Sequence, residues 1–245
     1  MQSFPIPAPQ FKGSSRRVEA GSALNWFRQG WAIFIASPGI WMAMMVILVV
    51  IYLGLAIVPL IGQLAAHLLT PVLAAGMLLA CQKVSAGQTP EITDLFAGFQ
   101  RSTGALVTLG VLYMLGMLAV FLMVLLLVGG GMAGGMMINE PVGAGIAVGA
   151  MLIAGIVALL LSVPLVMAIW FAPALVVFNG MPPVDALKAS FNACLKNSVP
   201  FLVYGLLAMV LCFFAALPVG LGFLVLGPVL AGSVYASYQD IFLAT

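Results

Sequence analysis

Charged residues are scarce in this sequence, and the scarcity excludes most classes of protein. Only 6% of the 245 residues are Asp, Glu, Lys or Arg, whereas hydrophobic residues make up 64%. Soluble domains carry about 25% charged residues, so the composition excludes a soluble globular enzyme and a disordered chain. The net charge of +2 is too small and too scattered to attract phosphates, so we expect no nucleic-acid partner.

The charged residues are separated by long uncharged runs at 29–82, 102–139, 141–184 and 197–239. A helix needs about 20 apolar residues to cross a bilayer, and turn residues divide the first and last runs. The pattern therefore predicts an all-α, polytopic membrane protein with six transmembrane helices. We place the spans at 40–60, 64–82, 103–128, 142–178, 199–216 and 221–241. The fourth is too long for the hydrocarbon core, and we expect kinks at Pro164 and Pro173.

The basic residues all fall on one side of this predicted topology. They precede the first span, or lie between spans 2 and 3 or spans 4 and 5: Lys12, Arg16, Arg17, Arg28, Lys83, Arg101, Lys188 and Lys196. The positive-inside rule places that side, with both termini, in the cytoplasm. We expect residues 1–17 to form a flexible cytoplasmic N-terminus and residues 18–245 to form a single membrane domain.

An internal repeat is predicted from recurring serine and proline positions. An amphipathic segment ends at Ser37, Ser102 or Ser198, and two spans follow, the second containing Pro71, Pro164 or Pro228. The serine-to-proline separations are 34, 62 and 30 residues, so the middle copy carries an insertion. The pattern predicts three parallel two-helix repeats, at about 18–83, 90–178 and 183–242, each preceded by an amphipathic helix on the cytoplasmic side.

These amphipathic helices supply the candidate ligand-contacting residues. Each has an apolar face, which is typical of a helix in the membrane interface; packing on the protein's own bundle is an equal alternative. The candidate lipid-binding residues are Trp26, Phe27, Trp31, Phe96, Phe99, Lys188, Phe191 and Lys196. Their lysines could meet lipid phosphates, at about 1 kcal/mol each.

Two small-residue spacings are candidate helix-packing sites. Gly145-x-x-x-Gly149 lies in the fourth span and Gly227-x-x-x-Ala231 in the sixth. This spacing lets two helices approach closely. Packing within the chain is the first interpretation, and association with another copy or another membrane protein is the second.

Residues that carry chemistry are few and dispersed. His67 is the one histidine, and Cys81, Cys194 and Cys212 form no C-x-x-C pair. No pattern of paired carboxylates or metal ligands is present in the predicted membrane core. We therefore predict no catalytic residue, no cofactor and no metal site, and expect the protein not to be an enzyme.

A Met- and Gly-rich segment precedes the fourth span at 129–140. Its thioethers at Met132, Met136 and Met137 could suit Cu(I), although methionine is also a general filler of apolar contacts. The glycines predict a flexible loop or a close approach of helices. Whether this segment binds a ligand stays open at the level of sequence.

Three stretches carry a resemblance to a known family. The segment Phe171-Ala-Pro-Ala-Leu-Val-Val-Phe-Asn-Gly180 precedes Pro183-x-x-Ala-Leu-Lys-Ala-Ser-Phe-Asn-Ala-Cys-Leu-Lys-Asn197, and the chain ends near Tyr235-Ala-Ser-Tyr-Gln-Asp-Ile-Phe242. Together they resemble an uncharacterised proteobacterial family of six-span inner-membrane proteins. More distantly, they are similar to YciC-like proteins and to the membrane domain of glycerophosphodiester phosphodiesterases. The resemblance implies an inner-membrane location and transfers no catalytic residue.

We hypothesise a non-enzymatic inner-membrane protein that binds or moves lipid or another apolar ligand. The partners implied are membrane lipids, with a homo-oligomer or a membrane-protein partner as a further possibility. A scaffold or accessory subunit of a larger membrane complex is the alternative from a different class. An uncoupled solute channel is third, because proton- and ion-coupled transporters usually keep ionisable residues within the membrane.

Overall fold

The computed structural model describes residues 15–138 and 142–243, and every regular element in these ranges is helical. The α-helices are α1 Ser22–Ala36, α2 Pro38–Ala56, α3 Ile61–Ser85, α4 Gly98–Arg101, α5 Thr103–Met136, α6 Val142–Trp170, α7 Ala172–Asn179, α8 Pro183–Lys196, α9 Ser198–Ala216 and α10 Phe223–Tyr238. A 3₁₀ helix, Ile92–Phe96, precedes α4, and a π-helical turn, Gln239–Leu243, extends α10.

Five helical stretches in the described ranges are long and apolar enough to cross a membrane. They are α2, α3, α5, the continuous α6–α7 stretch Val142–Asn179, and α9. The sequence predicts six spans, and the sixth would be α10. That helix has 16 residues, fewer than the roughly 20 a span requires, because its regular α-helical bonding changes to a π-helical turn at Gln239.

Two boundaries differ from the sequence prediction. Helix α5 continues to Met136, eight residues beyond the predicted end at 128, so the glycines after Val128 are helical and form no loop. Pro164 lies inside α6. The helix is interrupted at Phe171, and Pro173 occupies the first turn of α7, which follows. Proline is tolerated in a first turn because the amide it lacks has no intrahelical partner there.

A close crossing of α1 and α10 joins the beginning of the described chain to its end. A Cβ atom on Gly30 would lie 2.8 Å from the Ser233 backbone nitrogen, and one on Gly232 would lie 2.8 Å from the Gly30 Cα. Only glycine permits such an approach without displacing a backbone. The crossing buries Ala23, Trp26 and Ile33 of α1.

Two further short segments, the 3₁₀ helix and α8, also pack against longer helices. A Cβ atom on Gly76 of α3 would lie 2.6 Å from the carbonyl carbon of Leu95 in the 3₁₀ helix. On α8, the Ser190 hydroxyl donates a hydrogen bond of 2.7 Å to the Met167 carbonyl and accepts one of 2.9 Å from the Phe171 amide. These contacts attach the 3₁₀ helix to α3, and α8 to α6 and α7.

The segment that precedes α1 is attached to the end of the helical domain. Asn197 accepts a hydrogen bond of 2.9 Å from the Val18 amide and donates one of 3.0 Å to the Arg16 carbonyl. The Arg16 amide donates to the Ile241 carbonyl at 2.9 Å. The folded domain therefore includes residues 15–17, which the sequence assigns to a flexible N-terminus; residues 1–14 lie outside the described ranges.

Replacing Gly30 with alanine tests the α1–α10 crossing. The added methyl group would meet the α10 backbone, and overpacking of this kind typically costs about 1–3 kcal/mol. We expect Gly30→Ala to lower the midpoint of thermal unfolding in detergent by several degrees. Gly39→Ala is the matched control because a Cβ there meets nothing within 4 Å. Equal midpoints for the two variants would contradict the close crossing.

Candidate functional site

An apolar groove between α1, α9 and α10 has one charged residue, Arg28, among its lining residues. Its volume is about 630 Å³, within the range of small-molecule sites. It is lined by Leu24, Phe27, Arg28 and Trp31 of α1, Leu211, Phe214 and Ala215 of α9, and Gly222, Val225, Leu226 and Val229 near and along α10. The groove thus begins at α1 and extends toward the α9–α10 turn.

The α1 wall of the groove is held in place by aromatic packing. The Phe27 ring stacks on Tyr204 with centroids 4.7 Å apart, and the Tyr204 hydroxyl lies 2.7 Å from the Ser233 hydroxyl. On the outer face of α1, Trp31 is 50% exposed and its ring is tilted against that of Phe34, with centroids 5.5 Å apart. Because Phe27 stacks on a tyrosine that is itself hydrogen-bonded to α10, this wall needs little reordering when a ligand enters.

Arg28 is the one charged residue among the described groove-lining residues. It is exposed, and the described structure gives its guanidinium no hydrogen bond or ion pair. Along α1 it lies between Trp26, which bonds to Asp240, and Gly30, which crosses Gly232. An unpaired guanidinium beside an apolar groove can bind a phosphate or carboxylate group by charge-assisted hydrogen bonds.

Trp26 occupies a different position from the one the sequence predicts. It is fully buried, and its indole nitrogen donates a hydrogen bond of 2.9 Å to Asp240 Oδ2. Asp240 also forms a short ion pair with Arg16. Trp26 is therefore a core residue that cannot contact lipid. Sequence reasoning missed this because the buried stripe of α1 runs through Ala23, Trp26 and Gly30.

The remaining predicted ligand-contacting residues are dispersed over the molecule. Phe96 and Phe99 are partly exposed beside each other, with ring centroids 6.4 Å apart, on the segment that packs against α3. On α8, Lys188 is exposed and Phe191 is half-buried. Lys196 donates to the Ser15 carbonyl at 2.5 Å and lines a polar recess with Asp185. Of the eight candidates, the structure brings Phe27 and Trp31 together in the groove.

The two small-residue spacings have different surroundings. A Cβ on Gly227 would lie 2.8 Å from the Met45 sulfur, so Gly227 packs against α2, and Ala231 packs against the core. Gly145 and Gly149 have open space around them, so the described chain does not use them for internal packing. Instead, α5 and α6 approach each other at Gly131, Gly135 and Gly143, where a Cβ atom would meet the neighbouring helix.

The other reactive side chains are isolated. His67 Nδ1 lies 2.8 Å from the Gln63 carbonyl one turn earlier. Burial raises the pKa of the Cys194 thiol to about 12, against the opposing effect of a hydrogen bond with Ser190, so the thiolate is scarce at neutral pH. Within 15–138 and 142–243, no group of three His, Cys, Asp or Glu residues is placed to hold a metal ion.

The methionines proposed as thioether ligands lie at the far end of the α5–α6 pair. Met132 and Met136 line a recess of about 380 Å³, whereas Met137 is not among its lining residues and is highly exposed. The three sulfurs are thus not gathered in one recess. The segment's last residues, 139 and 140, lie outside the described ranges.

Arg28 and the α9–α10 residues of the groove were not selected from the sequence. In the sequence, Arg28 contributes only to the predicted orientation of the spans, although its apolar helical neighbours, Leu24 and Trp31, lie one turn on either side of it. Such a lone cation within an apolar helix face is the signal that could have identified it. Phe214 and Val225 gave no such signal, because they lie within uniformly apolar helices.

Five membrane-length helical stretches within the described residues, together with an apolar surface, define an all-helical integral membrane protein. The chain is 35% identical to a probable inner membrane protein of Burkholderia thailandensis, over an alignment of 235 residues that covers 89% of this chain and 82% of the relative. The chain belongs to the family of that probable inner membrane protein. No family model and no solved structure matches the chain, so the distant likeness to YciC-like proteins and to phosphodiesterase membrane domains has no support from these comparisons.

Removing the Asp240 carboxylate tests the bonds that hold the first turns of α1. Asp240→Ala leaves the buried Trp26 indole without its acceptor and removes the ion pair of Arg16; an unsatisfied buried donor costs about 1–3 kcal/mol. We expect a lower midpoint of thermal unfolding, accompanied by a change in Trp fluorescence. Asp185→Ala removes an exposed acid for which the described structure gives no ion pair. An equal loss in both variants would count against this arrangement.

Proposed function

We propose that this chain is a non-enzymatic inner-membrane protein that binds the acyl chain of an anionic phospholipid in the α1–α9–α10 groove. The observation that carries the proposal is the unpaired Arg28 guanidinium beside an otherwise apolar recess of about 630 Å³. The ligand implied has a long apolar part and an anionic group close to one end. An anionic phospholipid meets both requirements and is abundant around a membrane protein.

The energetics place the selectivity of this site at Arg28. An acyl chain that enters the groove leaves other acyl chains, so apolar burial gains little free energy relative to the surrounding bilayer. The attraction of one basic side chain to an anionic head group is worth about 1 kcal/mol. This corresponds to an enrichment of about fivefold over a neutral phospholipid. The groove supplies the position of the chain, and Arg28 supplies the preference for charge.

Removing the charge at Arg28 tests the head-group preference. In nanodiscs of equal phosphatidylglycerol and phosphatidylcholine, we expect native mass spectrometry to find the phosphatidylglycerol preference of co-released lipid reduced about fivefold in Arg28→Ala. Arg17→Ala is the matched control, because Arg17 is an exposed cation outside the groove. An unchanged preference in Arg28→Ala would contradict the proposed head-group contact.

Filling the groove tests the acyl-chain position separately. Leu211→Trp introduces a large side chain at a lining position of α9, whereas Val210→Trp places the same ring at a neighbouring exposed position outside the lining. We expect Leu211→Trp to lose one retained lipid per protein and Val210→Trp to keep it. Equal retention by both variants would contradict binding in the groove.

We further propose six spans arranged as three repeats that close into a ring. The predicted amphipathic segment of each repeat packs on the second long helix of another: the 3₁₀ helix and α4 on α3, α8 on α6 and α7, and α1 on α10. This cyclic order supports a threefold pseudosymmetry. In this arrangement α10 and its π-helical turn together form the sixth span.

Local geometry supports the same correspondence. The backbone leaves helical geometry at Ser37, with φ −155° and ψ 64°, and at Ser102, with φ −153° and ψ 36°. Gly30 and Leu95 each lie seven residues before these serines, and each contacts the proline-containing helix at the fifth residue after its proline, Ser233 or Gly76. Equivalent positions thus make equivalent contacts in the first and second units.

Enzyme fusions test the number of spans and their orientation. Alkaline phosphatase acts only after export from the cytoplasm, so we expect an inactive enzyme when it is fused after Leu243 and an active one after Pro59. A fusion after Gly87, between α3 and α5, is the matched cytoplasmic control and should be inactive. Activity after Leu243 would mean an odd number of spans and would contradict the six-span arrangement.

A scaffold or accessory subunit is the second candidate function. The open glycine face of α6, at Gly145 and Gly149, favours it, because a small-residue face outside the chain's own packing can admit a second helix. The solute channel stays a prediction from the sequence.

A further inference from the structure

The outer parts of α5 and α6 extend well beyond the rest of the molecule. A Cβ on Gly110 of α5 would lie 2.9 Å from the Leu68 Cα of α3. Because the two helices run in opposite directions, residue 117 of α5 is level with Ile61, where α3 begins. Helix α5 continues for 19 more residues to Met136, which is about 28 Å at 1.5 Å per residue.

Helix α6 accompanies α5 along this extension. A Cβ on Gly116 would lie 2.8 Å from the Leu165 side chain, so α6 reaches the same level near Pro164. Beyond it, Gly131 packs on Ala150, and Gly135 packs on Gly143. We call residues 118–136 and 142–163 the apolar arm.

The apolar arm contains no charged residue. Its surface is formed by large apolar side chains: Leu126 is 76% exposed and Leu159 is 66% exposed. Monomeric proteins rarely expose apolar patches larger than a few hundred Å² to water. This surface therefore requires a cover.

The bilayer that surrounds the bundle cannot enclose the whole of the arm. Helices α2 and α9 have 19 residues each, about 28 Å, and this already matches a hydrocarbon core of about 30 Å. Helix α5 has 34 residues, about 51 Å. Fitting it within the core would need a tilt of more than about 50°, beyond the usual 0–40°.

We propose that the cover is a second copy of this chain, whose apolar arm packs against the first in a symmetric dimer. The cover must be free of charge over about 28 Å and must lie at the same height above the membrane. The arm of another copy meets both conditions, and a twofold axis matches each arm with itself.

The available area is sufficient for a stable dimer. A two-helix arm about 28 Å long and about 10 Å thick has roughly 1,400 Å² of outer surface. Covering half of it on each copy buries roughly 1,400 Å² in total, within the size range of stable protein interfaces.

The contact face is set by the glycines that the chain itself leaves open. Gly145 and Gly149 lie on the side of α6 that faces away from α5, and a Cβ at either position meets nothing within 4 Å. Val148 is on the same side and is 57% exposed. A face with two glycines four residues apart allows the closest approach of a second helix.

Disulfide cross-linking of the full chain in nanodiscs tests this proposal. In a Cys212→Ser background, Val148→Cys reports on the arm, and Val50→Cys, which is 63% exposed on α2, reports on the lipid-facing belt. We expect a covalent dimer of twice 25.5 kDa for most of the Val148→Cys protein and little for Val50→Cys. Equal cross-linking at the two positions, or none at Val148→Cys, would overturn the proposal.

A second pair of variants separates loss of the dimer from loss of the fold. Adding Gly145→Leu and Gly149→Leu should abolish the Val148→Cys cross-link and give a monomer by light scattering, without lowering the midpoint of thermal unfolding of the monomer. Gly104→Leu, also in open space, should leave the cross-link intact. A wild-type chain that is monomeric, with a probe at Val148→Cys quenched by nitroxides on lipid chains, would show that lipid covers the arm and would overturn the proposal. Lipid binding at Arg28 is measured independently of these outcomes.

Discussion

The thickness of the bilayer is the constraint on which the rest of this structure depends. A hydrocarbon core of about 30 Å accepts α2 and α9 along their whole length, and their outward residues, such as Val50 and Leu202, are apolar and exposed. The polar bonds of Arg16, Asn197 and Asp240 gather where α8 and α10 end. What the bilayer cannot accept is the far part of α5 and α6, and this excess length leads to the inference of a dimer.

The proposed ring of packed segments depends in turn on the α1–α10 crossing. Gly30 and Gly232 bring two backbones together, which fixes α1 beside α10 and leaves its other face, with Leu24 and Trp31, outside the core. The groove lies between α1, which crosses α10, and the neighbouring α9. The same contact that would close the proposed ring also forms one wall of the candidate lipid site and presents Arg28 at its edge.

The helical class and most helix bounds could be predicted from the sequence, because long uncharged runs leave few alternatives in a membrane. The site could not, because hydrophobicity does not distinguish the buried Trp26 from the exposed Trp31; their difference comes from the direction in which α1 meets α10. The glycines were equally ambiguous: Gly227 packs internally, whereas Gly145 faces outward. The sequence indicates which residues are small enough for close packing. Only the fold shows which helix each of them packs against.

A density map of the protein in nanodiscs that contain phosphatidylglycerol tests the central claim most directly. The account predicts one ordered acyl chain along Phe27, Leu211 and Val225, with its phosphate beside the Arg28 guanidinium. A groove filled by protein side chains, or lipid density equally weak in the groove and along the outer face of α2, would contradict it.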